Sequence, residues 1–168
     1  MTMTTLINTQ KIGVKFNNQS QLPLRDYQQE SVQQILSAWL TYKNILVQQP
    51  TGAGKSLIIA AVVEQFLYIN QPILLVAHKV ELIRQLQEHC QKWFPEIEVG
   101  IIANKQQFKR NENAIIQIAS IQAFNYIKQE KYPQASLVVF DEAHHCYARS
   151  YAKLFNHYEN SYILGVTA

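Results

Sequence analysis

Residues 44–56 read Asn-Ile-Leu-Val-Gln-Gln-Pro-Thr-Gly-Ala-Gly-Lys-Ser, and this stretch combines a strand pattern, a glycine turn and the start of a helix. A short apolar strand, Asn44–Gln48, runs into two glycines, and the helical pattern of Lys55–Ile69 follows. Gly52 and Gly54 allow a tight turn in which successive N–H groups face inward, and the start of the helix adds positive potential. The stretch therefore predicts a loop that wraps phosphates.

Within this loop, Lys55 would reach the outer phosphates of a nucleotide, and the Ser56 hydroxyl would coordinate Mg²⁺. Gln49 stands where the common phosphate-loop pattern has its first glycine. The alternative interpretation is a glycine turn capped by an ordinary serine. A strand before the turn and a helix after it favour the phosphate loop.

The string Asp141-Glu142-Ala143-His144-His145 follows the apolar run Leu137–Phe140. In open α/β sheets, ligands bind at the carboxyl ends of the strands. Asp141 can hold Mg²⁺ there, and Glu142 can polarise an attacking water as a general base. The alternative is a pair of helix-capping acids. Zinc binding by the two histidines is disfavoured, because no further ligand has suitable spacing. The glycine loop and the acidic string together predict an ATPase.

Apolar runs and helical periodicities alternate along the whole chain, which predicts an α/β fold with a mostly parallel sheet and helices on both faces. The predicted helices are Arg25–Tyr42, Lys55–Ile69, Lys79–Trp93, Ile121–Lys128 and Tyr147–His157, and the predicted strands are Asn44–Gln48, Pro72–Ala77, Glu98–Ile102, Ala114–Ala119, Leu137–Phe140 and Tyr162–Val166.

The composition places bounds on the class of protein. The chain of 168 residues is 48% hydrophobic and 16% charged, which suits one domain with a packed core and excludes a disordered protein. A net charge of +3 does not by itself demand nucleic acid. Two cysteines make no disulfide framework. No secretory signal and no run of the roughly 20 apolar residues that a membrane span needs is present, so we expect a cytoplasmic protein without a membrane partner.

Two segments are expected from these patterns. We expect residues 1–22 to form a leader that is poorly ordered or that contains a short edge strand around Gly13–Phe16. We expect residues 23–168 to form one nucleotide-binding domain. The last strand runs into Gly165–Ala168 with no helix after it, and we expect that the sequence is part of a longer protein.

The motifs and their order resemble the first RecA-like domain of superfamily 2 helicases and translocases over residues 22–168. Six motifs carry the resemblance: Leu24–Gln28 (the adenine-reading Q element), Gln49–Ser56 (motif I), Val76–Leu82 (motif Ia), Ala119–Ala123 (the motif before the acidic box), Val139–His145 (motif II) and Gly165–Ala168 (the start of motif III). The forms His78-Lys79 and His144-His145 are most similar to the branch that holds type III restriction-enzyme motor subunits and related DNA repair helicases.

The resemblance implies ATP and Mg²⁺ as cofactors and assigns roles to particular residues. Lys55, Asp141, Glu142 and His144 would be catalytic, with Ser56 and Asp141 on the metal. The residues that would hold the nucleotide are Arg25, Gln28, Pro50, Thr51, Gly52, Ala53, Gly54, Lys55 and Ser56. An amphipathic helix that begins near Arg25 with Tyr27 in the core is the alternative to the Q element.

Nucleic-acid contacts are expected at His78, Lys79, Ser120 and Gln122, with DNA favoured over RNA. Lys79 could instead be an ordinary surface charge. The basic loop Lys105–Arg110, with Phe108 inside it, is a rival surface for single strands, and an ordinary solvated loop is the alternative interpretation. The family also has a second RecA-like domain that supplies arginines to the transition state, and we expect it as a partner. Without it, the chain should bind nucleotide better than it hydrolyses it. The remaining alternatives are an RNA helicase domain, a non-catalytic nucleotide-binding module and a small-molecule kinase.

Overall fold

The computed structural model describes residues 20–103, 111–143 and 149–168, without the side chains of Val80, Arg149 and Ser150. The helices are α1 (Asp26–Ala38), α2 (Lys55–Tyr68), α3 (Val80–Trp93) and α4 (Arg149–His157), and the strands are β1 (Asn44–Gln48), β2 (Ile73–Ala77), β3 (Val99–Ile102), β4 (Ile116–Ser120), β5 (Leu137–Asp141) and β6 (Tyr162–Thr167). Most of the predicted leader, including Gly13–Phe16, lies outside the described residues.

The six strands form one sheet in the order β1-β6-β5-β2-β4-β3. Every pair of neighbouring strands is parallel. The expected α/β fold with a parallel sheet is therefore confirmed. Because all strands run the same way, the loops that follow β1, β2, β4, β5 and β6 leave the sheet at one edge, which we call the carboxyl edge.

Burial along the strands follows their place in the sheet. The central strand β2 is buried at all five positions, as expected when helices cover both faces. The outer strand β1 alternates between exposed and half-buried residues, and Leu46 is 68% exposed. The apolar run of β1 thus forms the strand that the sequence predicts, although the strand lies at the border of the sheet.

Two apolar layers enclose the sheet. One layer packs α1, α2 and α3 against one face, and the other packs α4 against the opposite face. Trp39 at the end of α1 contacts Phe66 of α2 edge-to-face, with ring centroids 5.8 Å apart, and lies 5.1 Å from Tyr162 of β6. This aromatic cluster fixes the position of α1, and therefore of Gln28, relative to the glycine loop. Helices on both faces are confirmed.

The predicted helix Ile121–Lys128 is wrong in type and length. The structure has a 3-10 helix over Ile121–Asn125 and a second one over Gln129–Lys131. Ile121 and Phe124 are buried, but the side chains between and after them alternate irregularly, so no continuous α-helical stripe exists. Among the described residues, no helix is both long and apolar enough to cross a membrane.

Candidate nucleotide site

The glycine loop connects β1 to α2 at the carboxyl edge. Gly52 and Gly54 have φ angles of +83° and +72°, a region that favours glycine. Gly54 also forms the N-cap of α2. The loop is closed by a hydrogen bond from the Ala53 N–H to the carbonyl of Pro50, 3.1 Å long. The backbone turn that the sequence predicts is therefore present, with the N-terminus of a 14-residue helix directly behind it.

The side chain of Gln28 supports the glycine loop through hydrogen bonds. Its side chain is 3% exposed, and Nε2 donates to the carbonyls of Ala53 (3.3 Å) and Gly54 (3.4 Å). Its Oε1 accepts from the backbone N–H of Arg25 at 2.9 Å. The Tyr27 hydroxyl adds a third bond, to the Ala53 carbonyl at 3.0 Å. Gln28 and the loop are thus brought together as the sequence suggests, and the Gln28 amide nitrogen already donates to the loop backbone. Tyr27 is 39% exposed and is not a core residue.

Gln49 is a further structural residue of the loop, and sequence reasoning treated it only as a missing glycine. Its Nε2 donates to the Ser31 hydroxyl of α1 at 3.0 Å, and its backbone N–H donates to the Thr167 carbonyl of β6 at 3.0 Å. It therefore ties the loop to both α1 and β6. A polar amide directly before the Pro50 turn was the only signal in the sequence for this role.

Asp141 ends β5 at the same edge, with β6 between it and β1. Burial raises the pKa of its carboxyl group, and the charge of Glu142 raises it further. The backbone N–H of Glu142, which donates to Oδ1 at 3.0 Å, and the charges of Lys55 and His89 lower the same pKa. The fold thus brings Lys55 and Asp141 within electrostatic reach. His89, on α3, was not predicted to be near this site.

Glu142 has a φ of +55°, which is rare for a residue with a side chain. Such backbone strain costs of order 1–3 kcal/mol and concentrates at functional sites. His144 and His145 lie outside the described residues.

The donor chemistry of Ser56 and Asp141 fits Mg²⁺ bound together with a nucleotide. The Ser56 hydroxyl and the Asp141 carboxylate are hard oxygen donors, and a divalent cation would offset the cost of the buried carboxylate. Within the described ranges, no group of three or more His, Cys, Asp or Glu side chains could hold a metal ion alone.

The residues expected to contact nucleic acid lie together at the carboxyl edge. Ala77 of β2 pairs with Ser120 of β4, so the segments after these strands are neighbours. The Gln122 Nε2 donates to the His78 carbonyl at 2.7 Å, and Lys79 is exposed. Ser120 is 4% exposed and its hydroxyl accepts from the Ala123 N–H at 3.2 Å. Its hydroxyl is therefore used inside the turn.

Comparisons with known proteins agree with this geometry. Residues 21–168 match the family described as type III restriction enzyme, res subunit. The chain is 30% identical over 151 residues to the DNA 3'-5' translocase XPB2 of Sulfurisphaera tokodaii, covering 88% of this chain and 31% of that protein. It is 31% identical over 148 residues to the putative ATP-dependent helicase IRC3 of Saccharomyces cerevisiae, covering 82% and 21%.

The fold has close counterparts among solved structures. The UvsW helicase of bacteriophage T4 superposes with a TM-score of 0.74 at 20% identity, over 90% of this chain and 55% of that one. The chain spans about a third or less of the two relatives named above. The motifs, the parallel sheet and the family match together confirm the resemblance seen in the sequence. The chain belongs to the type III restriction enzyme res-subunit family, and it has the fold and the motifs of the first RecA-like domain of superfamily 2 helicases.

Proposed function

We propose that this domain binds Mg-ATP at the glycine loop and supplies half of a motor that couples ATP hydrolysis to movement along DNA. The single observation that carries the proposal is the meeting of Lys55 and Asp141 at one edge of the sheet, with the charge of Lys55 acting on the Asp141 carboxyl. The names of the relatives XPB2 and IRC3 support a DNA translocase or an ATP-dependent helicase.

The proposed chemistry divides among the residues of the site. The loop N–H groups and Lys55 hold the phosphates, and Ser56 and Asp141 hold the metal ion. Bound Mg²⁺ would neutralise charge on the phosphate oxygens. Glu142 orients and deprotonates the attacking water. Arg25 and Gln28 lie on the adenine side, and we assign His144 to the catalytic group as part of motif II.

The rest of the motor is also a proposal. A second RecA-like domain would contribute arginines, and an arginine that stabilises this transition state is worth roughly 10³–10⁵ in rate. We therefore expect the domain alone to bind ATP and to hydrolyse it slowly. His78, Lys79 and Gln122 would contact the DNA backbone. Ser120 would support this surface through its turn and not by direct contact, because its hydroxyl is buried and accepts from the Ala123 N–H. A cytoplasmic setting stays a prediction.

Thermal unfolding with and without Mg-ATP tests the proposal. Nucleotide at a hundredfold excess over Kd should stabilise the fold by about 2.7 kcal/mol, and 1 kcal/mol raises the Tm of a domain of this size by about 2–4 °C. Lys55→Ala should lose the shift. Lys43→Ala should keep it, because the Lys43 Nζ donates to the Asn160 carbonyl at the far edge of the sheet. No shift at millimolar nucleotide, or an equal shift in Lys55→Ala, would overturn the proposal.

Glu142→Gln separates binding from chemistry in the same assay. This variant should keep the Mg-ATP shift, because its side chain is assigned to the water and not to the phosphates. In a protein that carries both RecA-like domains, its ATP turnover should fall steeply. Undiminished turnover would remove the general-base role from Glu142.

A further inference from the structure

A groove of about 470 Å³ lies between the C-terminal ends of α2 and α3. Apolar and aromatic side chains line most of it, among them Leu67, Tyr68, Trp93 and Phe94. Tyr68 is 70% exposed, so a large ring is left open to solvent beside the groove. Both helices begin at the carboxyl edge, and α2 has 14 residues, so the groove lies about 20 Å from the glycine loop. It is therefore separate from the candidate nucleotide site.

The polar groups of the groove favour an occupant that is positively charged and donates hydrogen bonds. Among the described residues, the charged side chains that line it are the half-buried Glu64 of α2 and the exposed Glu96. Gln65 also lines the groove and is 2% exposed, and its Oε1 has no hydrogen-bond donor within the described residues. Buried acceptors are rarely left without a donor. The groove thus offers negative charge and an unused acceptor to its occupant.

One aromatic ring of the groove already contacts a cation. The Lys92 ammonium lies over the Trp93 ring, 4.6 Å from its centroid. The negative face of an aromatic ring attracts positive charge, most strongly in tryptophan. Trp93 and the two carboxylates therefore favour the same sign of charge in a ligand.

The described chain begins at this groove. Both carboxylate oxygens of Glu64 hold it, since the Ser20 hydroxyl donates to Oε2 and the Gln21 N–H donates to Oε1 at 3.1 Å. Gln21 and Leu22 line the groove as well. An extended chain advances by about 3.3 Å per residue, so four residues span about 13 Å. Residues a few positions before Ser20 are therefore within reach of the groove.

Residues 11–16 have a composition that matches this groove. They read Lys-Ile-Gly-Val-Lys-Phe, in which three apolar side chains alternate with two lysines and a glycine. In an extended conformation, the three apolar side chains would share one face. No acidic residue occurs in residues 1–19. Lysine side chains are long enough to place their ammonium groups beside carboxylates at the border of an apolar surface.

We propose that residues 11–16 of the same chain dock in this groove, with their apolar side chains on its aromatic rings and their lysines at Glu64 and Glu96. Because the chain is held at Glu64 only a few residues later, the segment has a high effective concentration at the groove. The docked segment would cover the exposed ring of Tyr68 and join the ends of α2 and α3. This proposal is independent of the proposed function.

Thermal unfolding of the full 168-residue chain tests the docking. Phe16→Ala should lower the Tm by about 3–12 °C, because it removes a large apolar side chain from the groove. Leu6→Ala is the matched control, since it shortens an apolar side chain that lies before the docking segment in the sequence and should leave the Tm unchanged. Equal losses in the two variants would overturn the assignment to residues 11–16.

The indole N–H signals of the two tryptophans give a local readout. Trp93 lines the groove, whereas Trp39 is buried in the core beside Tyr162. In NMR spectra of the isotope-labelled chain, Phe16→Ala should move the Trp93 signal and leave the Trp39 signal in place. A lower Tm without any change at Trp93 would assign the segment to another surface and overturn the proposal.

Charge reversal tests the recognition by the acidic side chains. At low salt, Lys15→Glu should lower the Tm by about 1–4 °C, and the loss should be smaller when Glu96→Lys is also present. Lys128→Glu is the control, because this exposed lysine follows Ile127, which packs in the apolar layer on the opposite face of the sheet. Its effect should be the same in both backgrounds. Equal losses for Lys15→Glu in both backgrounds would overturn recognition of the groove by the lysines.

The Mg-ATP thermal shift separates this proposal from the proposed function. The shift should be the same in every variant of the docking segment, because the groove is remote from the glycine loop. An unchanged Tm together with an unchanged Trp93 signal in Phe16→Ala overturns the docking and leaves the motor intact. Absence of the Mg-ATP shift in the wild-type chain overturns the proposed function, whereas the docking is judged by Phe16→Ala alone.

Discussion

Gln28 has a second role that its place in the Q element did not reveal. Its buried amide donates to two loop carbonyls, so the residue that we propose for the adenine side also supports the phosphate loop. A Cβ at Gly54 would clash with Gln28 Nε2, whereas a Cβ at Gly52 would meet no atom within 4 Å. The two glycines therefore make different demands, although both have positive φ.

Alanine substitutions at the two glycines test this difference. Each places a side chain in the left-handed region, which costs about 1–2 kcal/mol. Gly54→Ala should cost about 1–3 kcal/mol more than Gly52→Ala, because it displaces a buried amide from its partners. Urea unfolding measures both losses. In Gln28→Ala, the extra cost of Gly54→Ala should disappear, and any preference for ATP over GTP should go with it. Equal losses at both glycines would show that Gln28 moves aside freely.

At the level of elements, a short 3-10 helix follows β4 where the sequence predicts a longer helix. This difference changes the role that we assign to Ser120. The sequence offered this serine as a contact to nucleic acid. In the structure, its hydroxyl caps the turn from a buried position, and Gln122 is the exposed neighbour. Substitutions at Ser120 and at Gln122 can therefore separate the capping role from the nucleic-acid contact.

Ser120→Ala should destabilise the fold by about 1 kcal/mol, the usual cost of losing a side-chain cap. Its affinity for oligothymidylate, measured well below the melting temperature, should stay the same. Gln122→Ala should do the reverse, with little change in unfolding free energy and weaker, still salt-sensitive binding. Weaker binding in Ser120→Ala without any loss of stability would restore the serine as a direct contact.

At the scale of the whole molecule, the placement of the Asp141 carboxylate lowers the free energy of unfolding. Burial and the neighbouring Glu142 raise the pKa of Asp141 in the folded protein above its ordinary value. A raised carboxyl pKa means that folding favours the protonated form. The corresponding stabilisation is complete below the unfolded-state pKa and is lost as the pH rises through the folded-state pKa. At neutral pH, the ionised Asp141 therefore lowers the free energy of unfolding.

Asp141→Asn should accordingly be more stable than wild type at neutral pH, and it should lose the Mg-ATP shift. The difference in unfolding free energy should shrink as the pH is lowered, because wild-type Asp141 then becomes protonated and neutral like the amide. Denaturant unfolding between neutral and acid pH measures this trend. A variant less stable than wild type at neutral pH would contradict the unfavourable placement of the charge.

Local patterns in the sequence predict most of the individual helices and strands. Strand β1 matches its predicted bounds, and α2 and α3 differ by one residue, because apolar runs and helical periodicity are local patterns. The glycine loop and the acidic pair could be recognised in the sequence for the same reason, since each is a local pattern. The helix predicted after β4 was wrong, because Ile121 and Phe124 have helical spacing over one turn only.

The segments that meet across long stretches of sequence follow from the order of the strands in the folded sheet. The order β1-β6-β5-β2-β4-β3 brings the end of β5 near the loop after β1, and the end of β4 beside the end of β2. Three interactions depend on that order. They are the hydrogen bond from Gln28 to the glycine loop, the hydrogen bond from Gln49 to Thr167 and the effect of the His89 charge on Asp141. Contacts across many residues are selected by packing of the whole core, and no local pattern encodes them.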